Sequence, residues 1–382
     1  MSVTAPAGFA AAGVAAGLKS SGALDLALVV NQGPRHAAAA VFTSNRAQAN
    51  PIIWSQQVIA DGQVAAIVLN SGGANCFTGP QGFQTTHATA EAVAEHCDVS
   101  AGDVLVCSTG LIGEQLNRDA VISGVKAAAG ALGSHGDDAA RAIMTTDSVP
   151  KTVVIEGPGY SIGGMAKGAG MLAPGLATML AVLTTDADLP ATELDRALRT
   201  ATRVSFERLD SDGCMSTNDQ VTLMASGASG ITPDTDAFTL LLIDACMALT
   251  RQLQADAEGA SHDIMITVTG AVSEADAVEV ARSVARSNLF KAAMFGNDPN
   301  WGRVLAAIGT TQAAFNPYAV DVSFNGVRLC HAGAPDRPRT DVDLSGRIVE
   351  VLIELTAGTQ LATVYTNDLT HDYVHENSAY SS

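Results

Sequence analysis

Three features of the 382-residue sequence predict a mixed α/β fold: short apolar runs ending in small-residue loops, apolar stripes at helical spacing, and an Asn-Gly turn between alternating residues. Val64 to Leu69 leads into Asn70-Ser71-Gly72-Gly73, and Val104 to Cys107 leads into Ser108-Thr109-Gly110. Buried strands that stop at glycine-rich loops read this way. Ile264, Ile266 and Val268 alternate with other residues, as a half-buried strand does. Val320, Val322 and Phe324 alternate too, and Asn325-Gly326 then precedes Val327 and Leu329. Both turn residues tolerate positive φ, so an antiparallel hairpin is expected there.

Helices are expected between these strands. Leu194, Leu198 and Ala201 form a stripe just after Pro190, and Leu242, Cys246, Leu249 and Leu253 form a second. Ser273 stands three positions before Asp276 as a cap, with Val278, Ala281 and Ala285 following at helical spacing. Each stripe reads as core packing. There is no repeat, low-complexity tract or obvious flexible linker, and the length suggests two or three domain-sized units.

Composition narrows the function classes. Hydrophobic residues make up 47% of the chain and aromatics only 4%, so the interior is built from Ala, Val, Leu and Ile. The formal charge of −18 argues against nucleic acid, which demands clustered Lys and Arg. No stretch reaches about 18 uninterrupted apolar residues, and Met1 to Gly17 lacks the basic start of a secretory signal, so a cytoplasmic protein is expected. Cys76, Cys97, Cys107, Cys214, Cys246 and Cys330 form no C-x-x-C pair and have no His at ligand spacing; reduced, mostly buried thiols and no metal site are expected. So acidic a chain repels an anionic substrate at long range. Such a substrate needs a local cation, and only Lys19, Lys126, Lys151, Lys167 and Lys291 are available as lysines.

The densest anomaly runs from Gly163 to Leu180, where glycines crowd Lys167 and lead into an apolar element that begins near Thr178. It fits neither G-x-x-x-x-G-K-[ST] nor G-x-G-x-x-G. On composition alone it is a tight loop feeding a strand. The pattern Lys167-Gly168-x-Gly170-Met171-Leu172-x-Pro174-x-x-Ala177-Thr178-Met179-Leu180, however, resembles the self-cleavage segment of the ornithine acetyltransferases. Further runs carry the resemblance along essentially the whole chain. They include Asp25-Leu26-Ala27-Leu28, Asn70-Ser71-Gly72-Gly73-Ala74-Asn75, Ser108-Thr109-Gly110-Leu111-Ile112-Gly113-Glu114 and Ala142-Ile143-Met144-Thr145-Thr146-Asp147. Ser216-Thr217-Asn218-Asp219, Ala257-Glu258-Gly259, Asp298-Pro299-Asn300-Trp301-Gly302-Arg303 and Asn377-Ser378-Ala379-Tyr380 follow in order.

The resemblance implies layered sheets flanked by helices, of the self-processing amino-terminal-nucleophile type. It implies that the Thr178 hydroxyl attacks the Ala177 carbonyl and that hydrolysis of the resulting ester leaves two fragments, residues 1–177 and 178–382. The new α-amino group of Thr178, with a reference pKa of about 7.7–8.0, then serves as base for the hydroxyl of the same residue. Thr109, through its side chain, and Gly110, through its backbone N–H, are the implied oxyanion hole. Thr145, Lys167, Thr178, Glu258, Asn377 and Ser382 are the implied substrate contacts. Lys167 would pair with an α-carboxylate and Glu258 with the distal ammonium of ornithine; the plainer alternatives are a solvated surface lysine and a helix-end acid. The carboxy-terminal tail is expected to be ordered, anchored by Tyr373, Val374 and Tyr380.

By the same resemblance the activity is ping-pong acetyl transfer from N-acetylornithine to glutamate in arginine biosynthesis, catalysed by an acyltransferase (glutamate N-acetyltransferase). No cofactor is implied, although some members also take acetyl-CoA as donor. The fragments are expected to assemble as a heterotetramer of two of each. Two other readings share the segment: a self-processing amidase or aminopeptidase that passes the acyl group to water, and an uncleaved binding protein. The chain departs from the family pattern at Ser261-His262, where a Thr-Lys pair is usual, and at His375-Glu376, before Asn377.

Overall fold

The computed structural model describes residues 2–173 and 179–379. Through residue 173 the strands are β1 (Phe9–Val14), β2 (Leu26–Asn31), β3 (Ala37–Phe42), β4 (Ala66–Asn70), β5 (Val104–Ser108), β6 (Lys151–Glu156) and β7 (Ser161–Lys167). After it come β8 (Leu180–Thr185), β9 (Gln220–Ala225), β10 (Asp263–Ala271), β11 (Asp321–Phe324), β12 (Val327–His331), β13 (Ala334–Pro335), β14 (Ile348–Glu354) and β15 (Gln360–Asn367). The helices are α1 (Asn50–Val58), α2 (Gly79–Cys97), α3 (Arg118–Gly130), α4 (Gly136–Ala142) and α5 (Ala191–Val204). They continue with α6 (Thr235–Ala255), α7 (Glu274–Ala285), α8 (Asn288–Phe295), α9 (Trp301–Ile308) and α10 (His371–Ala379).

Among the described residues three sheets form, with strand orders β1-β2-β4-β5, β3-β9-β8-β7-β6 and β13-β12-β11-β14-β10-β15. The first two are stacked. Alternation along β8 shows how: Leu180 and Val182 face a core shared with Val29, Ile67 and Leu105 of the four-stranded sheet. Ala181 and Leu183 face the opposite way, against Leu194, Leu198, Leu242 and Leu249 of α5 and α6. On the outer side of the four-stranded sheet, Leu28, Val68 and Val106 meet Val93 of α2 and Val121 and Val125 of α3. The layers therefore run helix, sheet, sheet, helix. Strands buried on both faces read as nearly continuous apolar runs, as Val64–Leu69 and Val104–Cys107 do.

The six-stranded sheet packs one face on α7, α8 and α9, with Ile264, Ile266 and Val268 inward. The intervening residues of β10 are half-buried, so the alternation seen in the sequence is real. β11 and β12 form the expected hairpin, with Asn325 at φ 45° and Gly326 at φ 81°. Ser273 caps α7 by accepting from the Asp276 N–H at 3.1 Å. On that helix Ala281 and Ala285 of the expected stripe are buried, together with Ala277, Val280 and Val284, whereas Val278 is only half-buried. The α5 and α6 stripes lie where the spacing predicts them, fully buried.

The junction between residues 177 and 178 falls between β7 and β8, which are antiparallel neighbours with Lys167 opposite Leu180. The stretches 1–177 and 178–382 therefore share the five-stranded sheet: β3, β6 and β7 come from one, β8 and β9 from the other. A cut there would divide the chain without separating two independent cores.

Candidate active site

The ends of two parallel strands build one wall of the site. β4 and β5 run side by side to Asn70 and Ser108, and the Thr109 N–H donates to the Asn70 carbonyl at 2.9 Å. Asn218 ties this corner down, its Nδ2 donating to the carbonyls of Ala74 at 2.6 Å and Ser108 at 2.8 Å. Gly110 then turns with φ at +126°, and a Cβ there would lie 3.0 Å from the Gly73 backbone. Only glycine fits that turn without strain.

β7 delivers the cation. Lys167 is 2% exposed, and its Nζ donates to Thr109 Oγ1 at 3.2 Å. This excludes the solvated-lysine alternative. Burial pulls the ammonium below its ordinary pKa; Asp147 works against that, Lys151 reinforces it, and Asp219 and Glu258 again oppose it. Asp147 itself is held below the usual carboxylate range: burial would raise it, but the Lys167 and Lys151 ammoniums and the Gly168 N–H outweigh that effect.

The loop after β7 is pinned from several sides. The Gly168 N–H donates to Asp147 Oδ1 at 2.6 Å, the Met171 N–H to Asp212 Oδ2 at 2.7 Å, and the Ser211 N–H to the Leu172 carbonyl at 2.6 Å. The Glu258 N–H donates to the Ala169 carbonyl at 3.0 Å. At Gly170 a Cβ would sit 2.5 Å from both carboxylate oxygens of Glu258. The missing side chain is what lets that carboxylate lie against the loop. Glu258 Oε2 also accepts from Asn377 Nδ2 of α10 at 2.9 Å.

Thr109, Gly110, Thr145, Lys167, Glu258 and Asn377 thus line one cavity of about 170 Å³, joined by Gly170, Met171, Asp212 and Tyr373. A buried cation and a carboxylate face one small space, an arrangement suited to a compact molecule bearing opposite charges at its two ends. Ala177, Thr178 and Ser382 lie outside the described residues. At Met179, which follows Thr178 in the sequence, the peptide N–H donates to Asp219 Oδ1 at 3.0 Å. Asp219 is fully buried; burial pushes its carboxyl well above the ordinary range, although the Met179 N–H opposes this.

Other residues around the cleft carried no role in the sequence reading. Asp147, Lys151 and Asp219 are buried charged groups, and Asp256 binds Lys151 Nζ at 2.5 Å. Asp147 and Asp219 each close one of the motif runs quoted above, and four of the five lysines, all but Lys126, turn out to have buried or partly buried partners. That scarcity was the available signal. The tail differs from expectation in one respect. It is ordered as α10 through Ala379, but Val374 is 56% exposed and anchors nothing, and Tyr380 lies outside the described residues. Tyr373 and Thr370 make the attachment, the Thr370 hydroxyl donating to the Gly259 carbonyl at 2.6 Å. At the family departure, His262 Nδ1 meets Asp368 Oδ2 at 2.9 Å and its Nε2 meets the Leu344 carbonyl at 3.1 Å.

A larger cavity, about 660 Å³, opens beside α5 and α7. Its arginines are already matched: Arg208 with Glu274 at 2.5 Å and Arg286 with Asp210 at 2.8 Å. It contains none of the residues above.

The sequence profile described as the ArgJ family matches residues 10–382. The arginine biosynthesis bifunctional protein ArgJ of Streptomyces coelicolor is 60% identical over 383 residues, covering all of both chains. That of Streptomyces avermitilis is 61% identical with the same coverage. Among solved structures, ornithine acetyltransferase from Mycobacterium tuberculosis, complexed with ornithine, is 54% identical over 47% of this chain and 96% of that one, with a TM-score of 0.45. Among the described residues no helix is long and apolar enough to cross a membrane. With the profile and the full-length relatives agreeing, the chain belongs to the ArgJ family, the ornithine acetyltransferases that its motifs resemble.

Proposed function

We propose that this chain cuts itself between Ala177 and Thr178 and then moves acetyl from N-acetylornithine to glutamate through an acetyl ester on the Thr178 hydroxyl. Acetyl transfer in arginine biosynthesis is the activity of its family. The observation that carries the finer reading is the convergence of Thr109, Gly110, Thr145, Lys167, Glu258 and Asn377 on one small cavity at the edge of the 168–179 segment.

In this reading Lys167 pairs with the α-carboxylate of N-acetylornithine and Glu258 with its distal ammonium, while Thr145, Asn377 and Ser382 complete the contacts. The free α-amine of Thr178 takes the hydroxyl proton as the oxygen attacks the acetyl carbon. The Thr109 hydroxyl and the Gly110 N–H stabilise the oxyanion in both half-reactions. The Lys167 contact to Thr109 Oγ1 supports the first role, because an ammonium that donates to the oxygen leaves the hydroxyl proton free to point elsewhere. Ornithine departs, and the amine of glutamate takes the acetyl group. The reaction needs no cofactor; acetyl-CoA is a second donor in the bifunctional form.

The two fragments, 1–177 and 178–382, remain paired through the shared five-stranded sheet, and two such pairs make the heterotetramer. Free thiols at all six cysteines support a cytoplasmic setting. The test is to acetylate the protein with N-acetylornithine, remove the donor and follow loss of the acetyl group. Loss accelerated by glutamate, with N-acetylglutamate formed, is expected. Loss to water at a rate indifferent to glutamate would make the protein an amidase instead.

A further inference from the structure

Lys151 is fully buried, and its ammonium spends its three donors inside the protein. They go to Asp147 Oδ1 at 2.6 Å, Asp256 Oδ2 at 2.5 Å and the Val149 carbonyl at 3.3 Å. Nothing is left over for a ligand. Asp147 reaches the other way: Oδ1 also accepts the Gly168 N–H at 2.6 Å, and Oδ2 accepts the Thr145 N–H at 2.9 Å. Asp256 stands two residues before Glu258 and is held by the Ser148 N–H at 3.0 Å and by the Ser148 hydroxyl. The line Asp147–Lys151–Asp256 thus connects Thr145 and the residue after Lys167 to the segment that carries Glu258. It also crosses from the stretch before residue 177 to the stretch after it.

We propose that Asp147, Lys151 and Asp256 form a charge chain, centred on the buried Lys151 ammonium, that sets Lys167 and Thr145 at a fixed spacing from Glu258, and so selects substrates carrying a carboxylate at one end and an ammonium at the other. This rests on the functional reading above. The chain's residues are positioning residues, acting through the side chains that line the cavity. Buried Asp147 and half-buried Asp256 around one buried ammonium leave a surplus negative charge, and Asp147 turns it toward Lys167. Removing one member of a buried set is costly because the others stay desolvated and unpaired. After a cut between residues 177 and 178, the charge chain joins the β7–β8 pairing and the Glu258 N–H to Ala169 carbonyl bond in holding that spacing across the two fragments.

The experiment compares two acetyl donors on the full-length protein: N-acetylornithine, with both charges, and an uncharged aryl acetate that reports only acetylation of the nucleophile. Asp256→Asn keeps the Ser148 contacts and removes the charge. It is expected to raise KM for N-acetylornithine roughly ten- to hundredfold, the scale of a small misplacement, with the aryl acetate rate unchanged. Asp147→Asn adds a readout that loss of packing would not move. Lys167 is faced by Asp147 before β6, Lys151 on β6, Asp219 before β9, Glu258 after α6 and the Thr109 hydroxyl. Without the Asp147 charge Lys167 gives up its proton more easily, so the basic limb of kcat/KM for N-acetylornithine should move to lower pH. Equal loss with both donors in Asp256→Asn, or unchanged KM and an unmoved basic limb, would overturn the proposal. A wild-type protein acetylated by neither donor would overturn the functional reading, and the charge chain's role with it.

Discussion

β7 and β10 are both interior strands, yet they bury their residues differently. Every residue of β7 is buried, whereas β10 alternates between buried and half-buried positions. β7 lies between two packed layers and contains Gly163 and Gly164, where an added Cβ would come within 2.2 Å of the Ser2 carbonyl and 2.8 Å of Leu183. β10 buries Ile264, Ile266 and Val268 against α7, α8 and α9, and its other face is only half-buried. The strand that delivers a cation to the cleft is the one with no solvent on either side. Lys167 at its end therefore sits where charges are poorly screened and their interactions strong. The half-exposed sheet supplies bulk and hairpins; the doubly covered one supplies the electrostatic setting that chemistry requires.

That contrast can be broken at several points. Thr178→Ala should have the largest effect: a single full-length band on a denaturing gel and no transferase activity, and any processing in this variant would refute the assigned nucleophile. Thr109→Val should lower kcat about 100- to 1,000-fold, the usual scale for one oxyanion donor, and should also cost about 1–3 kcal/mol in denaturant unfolding, because the buried Lys167 ammonium loses an acceptor. A fall of less than about threefold would remove Thr109 from the hole. Leu183→Ala, in the fully buried middle layer, should cost about 2–5 kcal/mol in denaturant unfolding. By contrast Leu361→Ala, 60% exposed on β15, should stay within about 0.5 kcal/mol; equal costs would erase the distinction between the sheets.

The smallest effect concerns pH. As the proposed nucleophile, Thr178 needs its α-amine neutral, so kcat/KM should rise through a pKa of about 8. The proposed pairing with a substrate carboxylate needs Lys167 charged, and burial sets that pKa below its ordinary 10.5. Activity should therefore fall on the alkaline side before free lysines titrate. In Lys167→Arg, whose guanidinium stays protonated throughout, the alkaline fall should vanish along with part of the affinity. If it persists, another group titrates there.

Local pattern made much of this legible. The Asn325-Gly326 hairpin, the Ser273 cap and the α5 and α6 stripes depend on neighbours within a few residues, and the sequence records them directly. Lys167, Glu258 and Thr109 could be assigned to one site only through family resemblance, because they are brought together by sheet stacking and not by spacing. The charge chain was hidden for the same reason: Asp256 is 105 positions from Lys151. Val278 and Val374 differ from expectation because an apolar residue at suitable spacing need not face inward when Ala277 or Tyr373 takes that place. Among the quoted motifs, Asp147 and Asp219 ended runs of small and polar residues, yet nothing in a linear reading distinguishes a buried carboxylate from a cap.

The most direct test is intact-mass measurement of purified, active protein together with sequencing from the amino terminus. Two polypeptides are expected, the second beginning at Thr178 and gaining an acetyl group on exposure to N-acetylornithine. A single uncut chain in fully active preparations would contradict self-cleavage and, with it, the proposed role of Thr178 as both nucleophile and base.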